Sequence, residues 1–338
     1  MRPQVLICSY LQQELVDKLI ADLPEIDVVY RAELLPVPQF GADHRGRRRD
    51  LRESQIAEWR THLANATIMF DFDWWQPKSW REHSPNLKWI QATQAGVGVR
   101  AEAMGHTENQ VRITTAAGVH AKPLAEFALA GLLYFVRELP RLGCQKDQQR
   151  WATGASNTLY GQKALIVGAG SIGSEVARTL SFMGVRCDGT TRGTRVLGQP
   201  FERSVALQDC DLGEYDIVVL ACPLTEETIG LFSRQRISSM KVGALLVNLA
   251  RGPVLDQESV VESLKAGRLG GAVLDVTDPE PLPAGHPLWD APNLILSPHT
   301  AANVDAENAR LMELFTKNLR LYLSGGKLIN SYDPFLGY

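Results

Sequence analysis

The feature that most constrains this chain is a glycine triplet set between an apolar strand and an amphipathic helix. Residues 164–167 read Ala-Leu-Ile-Val, Gly168-Ala-Gly170-Ser-Ile-Gly173 follows, and residues 174–183 have helical, amphipathic spacing. A glycine triplet alone arises by chance. In this context each glycine has a physical task. Gly168 permits a tight turn, Gly170 lets a pyrophosphate approach the backbone, and Gly173 lets the helix pack close to the sheet. The helix start adds unpaired N–H groups and a positive dipole end, which favour phosphates. The segment therefore predicts a dinucleotide-binding unit.

The rest of the chain supports a parallel α/β fold. Downstream of residue 161, short apolar runs at 185–190, 217–222, 244–249, 271–274 and 294–297 are mostly separated by helical segments. Continuous apolar runs suit strands buried on both faces of a doubly wound sheet. Upstream, strand-like pieces at 5–8, 26–30, 67–71 and 88–92 alternate with helix-like ones, Leu11, Leu15, Leu19 and Leu23 lying four apart. Residues 123–142 predict one long, strongly apolar helix, and 143–160 an arm or loop carrying Trp151. A length of 338 residues suits two domains.

The type of dinucleotide turns on the end of the second strand. An acid about twenty residues beyond the glycines would hold the ribose 2′-OH of NAD. Counting points to Asp188, which falls inside the run 185–190 and not at its end. The end itself, Thr190-Thr191-Arg192-Gly193-Thr194-Arg195, carries hydroxyls and two guanidinium groups and no carboxylate. Arginine suits a 2′-phosphate, so the segment favours NADP over NAD.

Three more strand ends carry polar residues: Asn248-Leu-Ala-Arg251-Gly-Pro, Asp275-Val-Thr-Asp-Pro-Glu280-Pro and Ser297-Pro-His299-Thr-Ala301. Ligands of open α/β sheets bind at the carboxyl ends of strands. An arginine, a glutamate and a histidine there form a reaction set, although each alone has a structural explanation. With the glycine fingerprint, Asp216-Ile-Val-Val-Leu-Ala-Cys-Pro223-Leu-Thr225, Gly267-Arg-Leu-Gly-Gly-Ala-Val-Leu-Asp275 and Pro287-Leu-Trp289, the chain resembles the D-isomer-specific 2-hydroxyacid dehydrogenases, in particular their glyoxylate/hydroxypyruvate reductase branch. The resemblance covers most of residues 96–302 and is weak before them.

The resemblance implies two Rossmann-like domains, one flavodoxin-like and one dinucleotide-binding, with a cleft between them. A discontinuous substrate domain would span 1–116 and 303–338, and the nucleotide domain 117–302. It implies hydride transfer between NAD(P)H and a small 2-keto or 2-hydroxy acid. Arg251 would hold the carboxylate and the reacting carbonyl, His299 would act as acid/base and Glu280 as its partner. The loop with Val97 and Gly98 would bind the substrate carboxylate through backbone N–H groups. Ser171 and Ile172 would lie at the pyrophosphate, Thr191 and Arg192 at the adenosine ribose (with Arg195, from the strand-end reading above, a further cofactor residue), and Cys222, Pro223 and Thr228 along the cofactor. Leu249, Ala250, Asp275 and Ala301 would lie near the nicotinamide. The implied assembly is a homodimer built on the apolar helix.

Charge excludes other classes. A formal net charge of −3 argues against nucleic acid or an anionic membrane as partner. No apolar run is long enough to cross a bilayer, and the N-terminal stretch lacks the pattern of a secretory leader. Five cysteines without CxxC spacing fit reduced thiols in the cytoplasm, and no metal-ligand spacing occurs. The run His44-Arg-Gly-Arg-Arg-Arg-Asp50 reads as a solvated basic loop, with a phosphate patch as the alternative. Some proteins of this fold act as dinucleotide-sensing corepressors. The short ends and compact pattern of this chain favour the enzyme.

Overall fold

A computed structural model describes residues 2–105, 111–191 and 196–334. The chain forms two compact units, Met1–His120 with Asn303–Tyr338, and Ala121–Ala302.

The first unit is built on five parallel strands in the order β2-β1-β3-β4-β5. They are β1 (Gln4–Ile7), β2 (Asp27–Val29), β3 (Ile68–Phe70), β4 (Trp89–Gln91) and β5 (Arg112–Thr114). Helices Gln13–Asp22 and Glu53–Asn65 connect strands, and Glu307–Leu323 returns to this unit from the far end of the chain. Alternate residues of each strand enter opposite cores. Leu6, Met69, Ile90 and Ile113 face one, and Val5, Ile7, Ile68, Phe70 and Trp89 face the other. The order reverses beside β1, the point at which such sheets bind ligands outside their carboxyl edge.

The second unit carries seven parallel strands in the order β12-β11-β10-β9-β6-β7-β8. These are β6 (Lys163–Val167), β7 (Arg186–Thr190), β8 (Arg203–Val205), β9 (Ile217–Leu220), β10 (Ala244–Asn248), β11 (Leu269–Leu274) and β12 (Leu294–Leu296). Strands β6, β9 and β10 again alternate between two cores, as expected of a sheet covered on both faces. The order reverses at β6, so the glycine fingerprint that follows it sits at the topological switch point.

The predicted strands are present, most of them a residue or two shorter, with β6 and β11 starting earlier and β1 shifted by one residue. Two were not foreseen, β5 (Arg-Ile-Thr) and β8 (Arg-Ser-Val). Both are short and half polar, and pairing with a neighbour makes them strands. The single helix expected over 123–142 is two helices, Ala121–Val136 and Leu139–Asp147, with Glu138 left-handed at φ 53° between them. Pro140 is the cause: its ring would clash with the carbonyl of Val136, and it cannot donate to it. The second helix also occupies part of the expected arm. Trp151, beyond it, is 98% exposed. Among the described residues no helix is long and apolar enough to cross a membrane, and no group of three or more His, Cys, Asp or Glu could hold a metal ion.

Candidate functional site

The glycine turn in the second unit is pinned on both sides. Gly168 has φ +100°, and a Cβ there would lie 2.7 Å from the backbone N and Cα of Cys222. Its N–H donates to Thr190 Oγ1 at 3.1 Å, and the N–H of Ala169 donates to the Thr190 carbonyl at 2.9 Å. A Cβ on Gly173 would stand 2.1 Å from the Gly168 carbonyl oxygen, whereas one on Gly170 would meet nothing within 4 Å. The outer two glycines are thus demanded by packing, and the middle one opens onto free space. Helix Ser171–Phe182 begins there, its first intrahelical bond running from the Ser174 N–H to the Gly170 carbonyl at 2.9 Å. The N–H groups of residues 171–173 have no intrahelical carbonyl to reach. A free surface, a helix start and paired walls fit the diphosphate of a dinucleotide.

Other predicted cofactor residues frame this turn or lie along the same edge. Ser171 is exposed and Ile172 half-buried on the sheet. Cys222 is buried under Gly168, and burial pushes its thiol up to about 11. Pro223 is exposed, its carbonyl accepting the Thr228 hydroxyl at 2.7 Å, and that hydroxyl accepts the Thr225 N–H at 2.7 Å. Leu249 and Ala250 are buried at the end of β10. Thr191 follows β7, half-buried, and Arg192 and Arg195 lie outside the described residues.

Asp188, which the sequence placed inside a strand, lies within β7 and has a structural post. It is 2% exposed in the middle of β7. It accepts from Arg203 Nη2 at 2.7 Å and from the Tyr215 hydroxyl at 2.9 Å. Burial works against its charge, but these partners outweigh it and hold the carboxyl below the usual range. The network staples β7 to β8 and to the segment leading into β9.

The reaction set gathers from three strand ends of the same sheet. Asn248, fully buried at the end of the otherwise apolar β10, accepts the Ala250 N–H at 3.0 Å and donates to the Arg251 carbonyl at 3.2 Å. Arg251 is half-buried, its Nη1 donating to the Ala250 carbonyl at 2.7 Å. The next residue, Gly252, presses on the following loop: a Cβ there would fall 2.0 Å from the Thr277 carbonyl oxygen. That loop carries Glu280. Its Oε1 accepts the Thr277 N–H at 3.1 Å and its Oε2 lies 2.9 Å from His299 Nδ1. The Glu280 and His299 side chains are 40% and 42% exposed, so the pair adds less than about 1 kcal/mol to stability. Its effect is orientation. A carboxylate only accepts, so Nδ1 carries the proton and Nε2 is left to exchange one with a ligand.

His299 itself is left-handed, at φ 58°. Asp275, 3% exposed at the end of β11, holds it there. The His299 N–H donates to the Asp275 carbonyl at 2.8 Å. Asp275 Oδ1 accepts from the Ser297 hydroxyl at 2.7 Å and from the N–H groups of Thr300 and Ala301 at 3.0 Å each. Burial nonetheless leaves its carboxyl above the ordinary value. Asn248 and Asp275 as organisers of the Arg251 and His299 turns were not read from sequence. The available signal was a buried polar residue closing an apolar strand.

In the first unit, Val97 precedes helix Gly98–Ala103, and its side chain is buried in the core, so only its backbone can face a ligand. Trp59, Trp74, Trp75 and Trp80 pack nearby. Asp73 accepts from Trp59 Nε1 at 3.0 Å, and the rings of Trp59 and Trp74 lie 5.6 Å apart.

A family model described as D-isomer specific 2-hydroxyacid dehydrogenase, NAD binding domain, matches residues 129–301. A glyoxylate reductase of Thermofilum pendens is 33% identical over 261 residues, 72% of this chain and 74% of that protein. Among solved structures, a D-isomer specific 2-hydroxyacid dehydrogenase family protein of Aeromonas salmonicida superposes with TM-score 0.79 at 27% identity, covering 98% and 99% of the two chains. A D-isomer specific 2-hydroxyacid dehydrogenase of Xanthobacter autotrophicus, solved with NADPH and MES, gives TM-score 0.77 at 25% identity over the full length of both.

Proposed function

The chain belongs to the D-isomer specific 2-hydroxyacid dehydrogenases, and from that premise we propose that it reduces a small 2-keto acid, of the glyoxylate and hydroxypyruvate type, with NADPH preferred over NADH. The observation that carries the proposal is the bond between Glu280 and His299 Nδ1, made in a turn locked by Asp275 beside the Arg251 loop. A histidine oriented in this way is built to pass a proton from Nε2.

A bound nicotinamide dinucleotide supplies the hydride. The protein's own groups do the rest. The Arg251 guanidinium pairs with the substrate carboxylate and draws charge toward the carbonyl oxygen. The resemblance assigns the backbone N–H groups around Val97 and Gly98 to carboxylate binding. His299 Nε2 delivers a proton to the oxygen as negative charge grows there. Glu280 keeps the imidazole aimed and offsets the positive charge it carries before transfer. The glyoxylate reductase relative supports this substrate size, and the arginine-rich end after β7 supports the 2′-phosphate. Residues 1–116 with 303–338 would serve as the substrate domain, residues 117–302 as the nucleotide domain, and the working form would be a cytoplasmic homodimer.

The test is loss of absorbance at the reduced-nicotinamide band when glyoxylate, hydroxypyruvate or pyruvate is added with NADPH or NADH. Turnover is expected with at least one acid, faster with NADPH. Arg251→Ala should cut it by two or more orders of magnitude at nearly unchanged cofactor affinity. No turnover with any acid and either cofactor, or full activity in Arg251→Ala, refutes the proposal.

A further inference from the structure

The glutamate of the reaction set stands on an exposed loop, so its aim needs a cause. Residues 278–280 are exposed, and the Glu280 side chain is 40% open to solvent. A glutamate loses rotamer freedom when it is held in one pose, and an exposed pair with histidine is too weak to offset that loss. The loop itself must therefore hold the carboxylate. Two of the bonds that fix it are internal. The Thr277 N–H donates to Glu280 Oε1 at 3.1 Å, and the Thr277 hydroxyl donates to the Pro279 carbonyl at 3.0 Å.

Two more come from one side chain outside the loop. Gln257 Nε2 donates to the Asp278 carbonyl at 2.7 Å, and the Asp278 N–H donates to Gln257 Oε1 at 3.2 Å. A primary amide offers a donor and an acceptor side by side, which suits the C=O and N–H of one residue; a carboxylate only accepts and an ammonium only donates. Gln257 opens helix Gln257–Lys265, and its base is fixed. Asp256 caps that helix, accepting the Ser259 N–H at 3.0 Å and the Ser259 hydroxyl at 2.8 Å. The Asp256 N–H donates to the Phe232 carbonyl at 3.0 Å, and the Phe232 N–H donates to the Val254 carbonyl at 2.9 Å. Phe232 and Val254 are fully buried. The segment that follows Arg251 is thus fastened to the core, and Gln257 carries that anchorage to a loop 21 residues further along the chain. Gly252 packs against the same loop at the Thr277 carbonyl. All of these groups lie in the unit Ala121–Ala302.

We propose that Gln257 is a positioning residue for the acid/base pair: its amide clamps the Asp278 backbone, and the clamp keeps Glu280 Oε2 on His299 Nδ1. The proposal rests on 2-keto acid reduction with His299 as proton donor. The Gln257 amide bonds to backbone, so it acts on the reaction through Glu280. It holds the loop in the register that keeps the proton on Nδ1 and leaves Nε2 free to exchange one.

The test has one arm that needs turnover and one that does not. In steady-state reduction of the best 2-keto acid, Gln257→Leu is expected to lower kcat about tenfold, a part of the roughly 10²–10⁴ that a positioned proton donor contributes. KM should stay close to wild type, since Arg251 still receives the carboxylate. If Gln257→Leu folds poorly, Gln257→Asn, whose amide is one methylene shorter, should show the same loss. Glu258→Gln, at an exposed position of the same helix, should leave kcat unchanged. In a Glu280→Gln background the loss from Gln257→Leu should vanish, because residues that act as a unit are not additive. The second arm is the nitrogen NMR spectrum of isotope-labelled histidine in the whole protein at alkaline pH, with His299→Asn to assign the resonance. Wild type is expected to carry the ring proton on Nδ1, and Gln257→Leu to move it toward Nε2. Wild-type kcat in Gln257→Leu and Gln257→Asn, an undiminished loss in the Glu280→Gln background, or an unmoved His299 tautomer overturns the role of Gln257. Failure to reduce any 2-keto acid overturns the proposed reaction, and the tautomer then decides the Gln257 clamp by itself.

Discussion

Gly170 separates a nucleotide-binding turn from a merely structural one. Its backbone is extended, at φ −78° and ψ −163°, and a Cβ would meet nothing within 4 Å. Alanine is therefore tolerated by the fold. Where the backbone accepts it, Gly→Ala narrows the unfolded ensemble and stabilises by about 0.4–1 kcal/mol. If phosphates approach this surface, the same methyl occupies their place. Losing one charge-assisted hydrogen bond at a pyrophosphate costs about 1.5–3 kcal/mol, which weakens cofactor binding roughly 10- to 100-fold. Gly170→Ala should thus unfold in urea at or slightly above the wild-type midpoint while its NADPH dissociation constant, from nucleotide fluorescence, rises by that factor. Gly173→Ala is the contrast: with the Gly168 carbonyl oxygen only 2.1 Å from the added carbon, it should lose about 1–3 kcal/mol or fail to fold. Wild-type cofactor affinity in a stable Gly170→Ala protein would refute the placement of the phosphates.

Other outcomes follow from the same geometry. Asp275→Ala removes three bonds that hold the His299 turn and should lower kcat by tenfold or more with a smaller change in KM, which steady-state kinetics on the best 2-keto acid would show. The folded Asp188 carboxyl titrates below its ordinary value of 3.8, so its stabilisation is complete above the unfolded pKa and is lost as pH falls through the folded one. Asp188→Asn should accordingly cost roughly 2 kcal/mol near pH 7, with the gap to wild type closing below about pH 4, as read from urea midpoints; a gap independent of pH would contradict the ion pair. Burial pushes Cys187 and Cys222 up to about 11, and Cys144 is exposed. A disulfide reagent at pH 8 should modify Cys144 within minutes and leave Cys187 and Cys222 intact until the protein is unfolded.

Local order was legible in the amino-acid sequence because it depends on near neighbours. The apolar runs of β6, β9 and β10, the glycine turn and the helix after it follow from period and backbone freedom alone. So did the places of Arg251, Glu280 and His299 beyond strand ends and of Asp188 inside a strand. The break at Pro140 was equally local, and the apolar pattern on either side of it masked the rule. What lay beyond the sequence depends on partners distant along the chain. β8 is a strand because Arg203 pairs with Asp188, and the basic run is fastened by hydrogen bonds to Val37 and Asp43. The glycine triplet, read with the apolar run before it and the helical pattern after it, predicted a dinucleotide-binding turn at a strand end. Only the tertiary structure decided that Gly170 faces the opening while Gly168 and Gly173 are closed by packing. It also decided that buried Asn248 and Asp275 aim the arginine and histidine turns, since hydrogen bonds between strand ends exist only once the sheet has set those ends side by side.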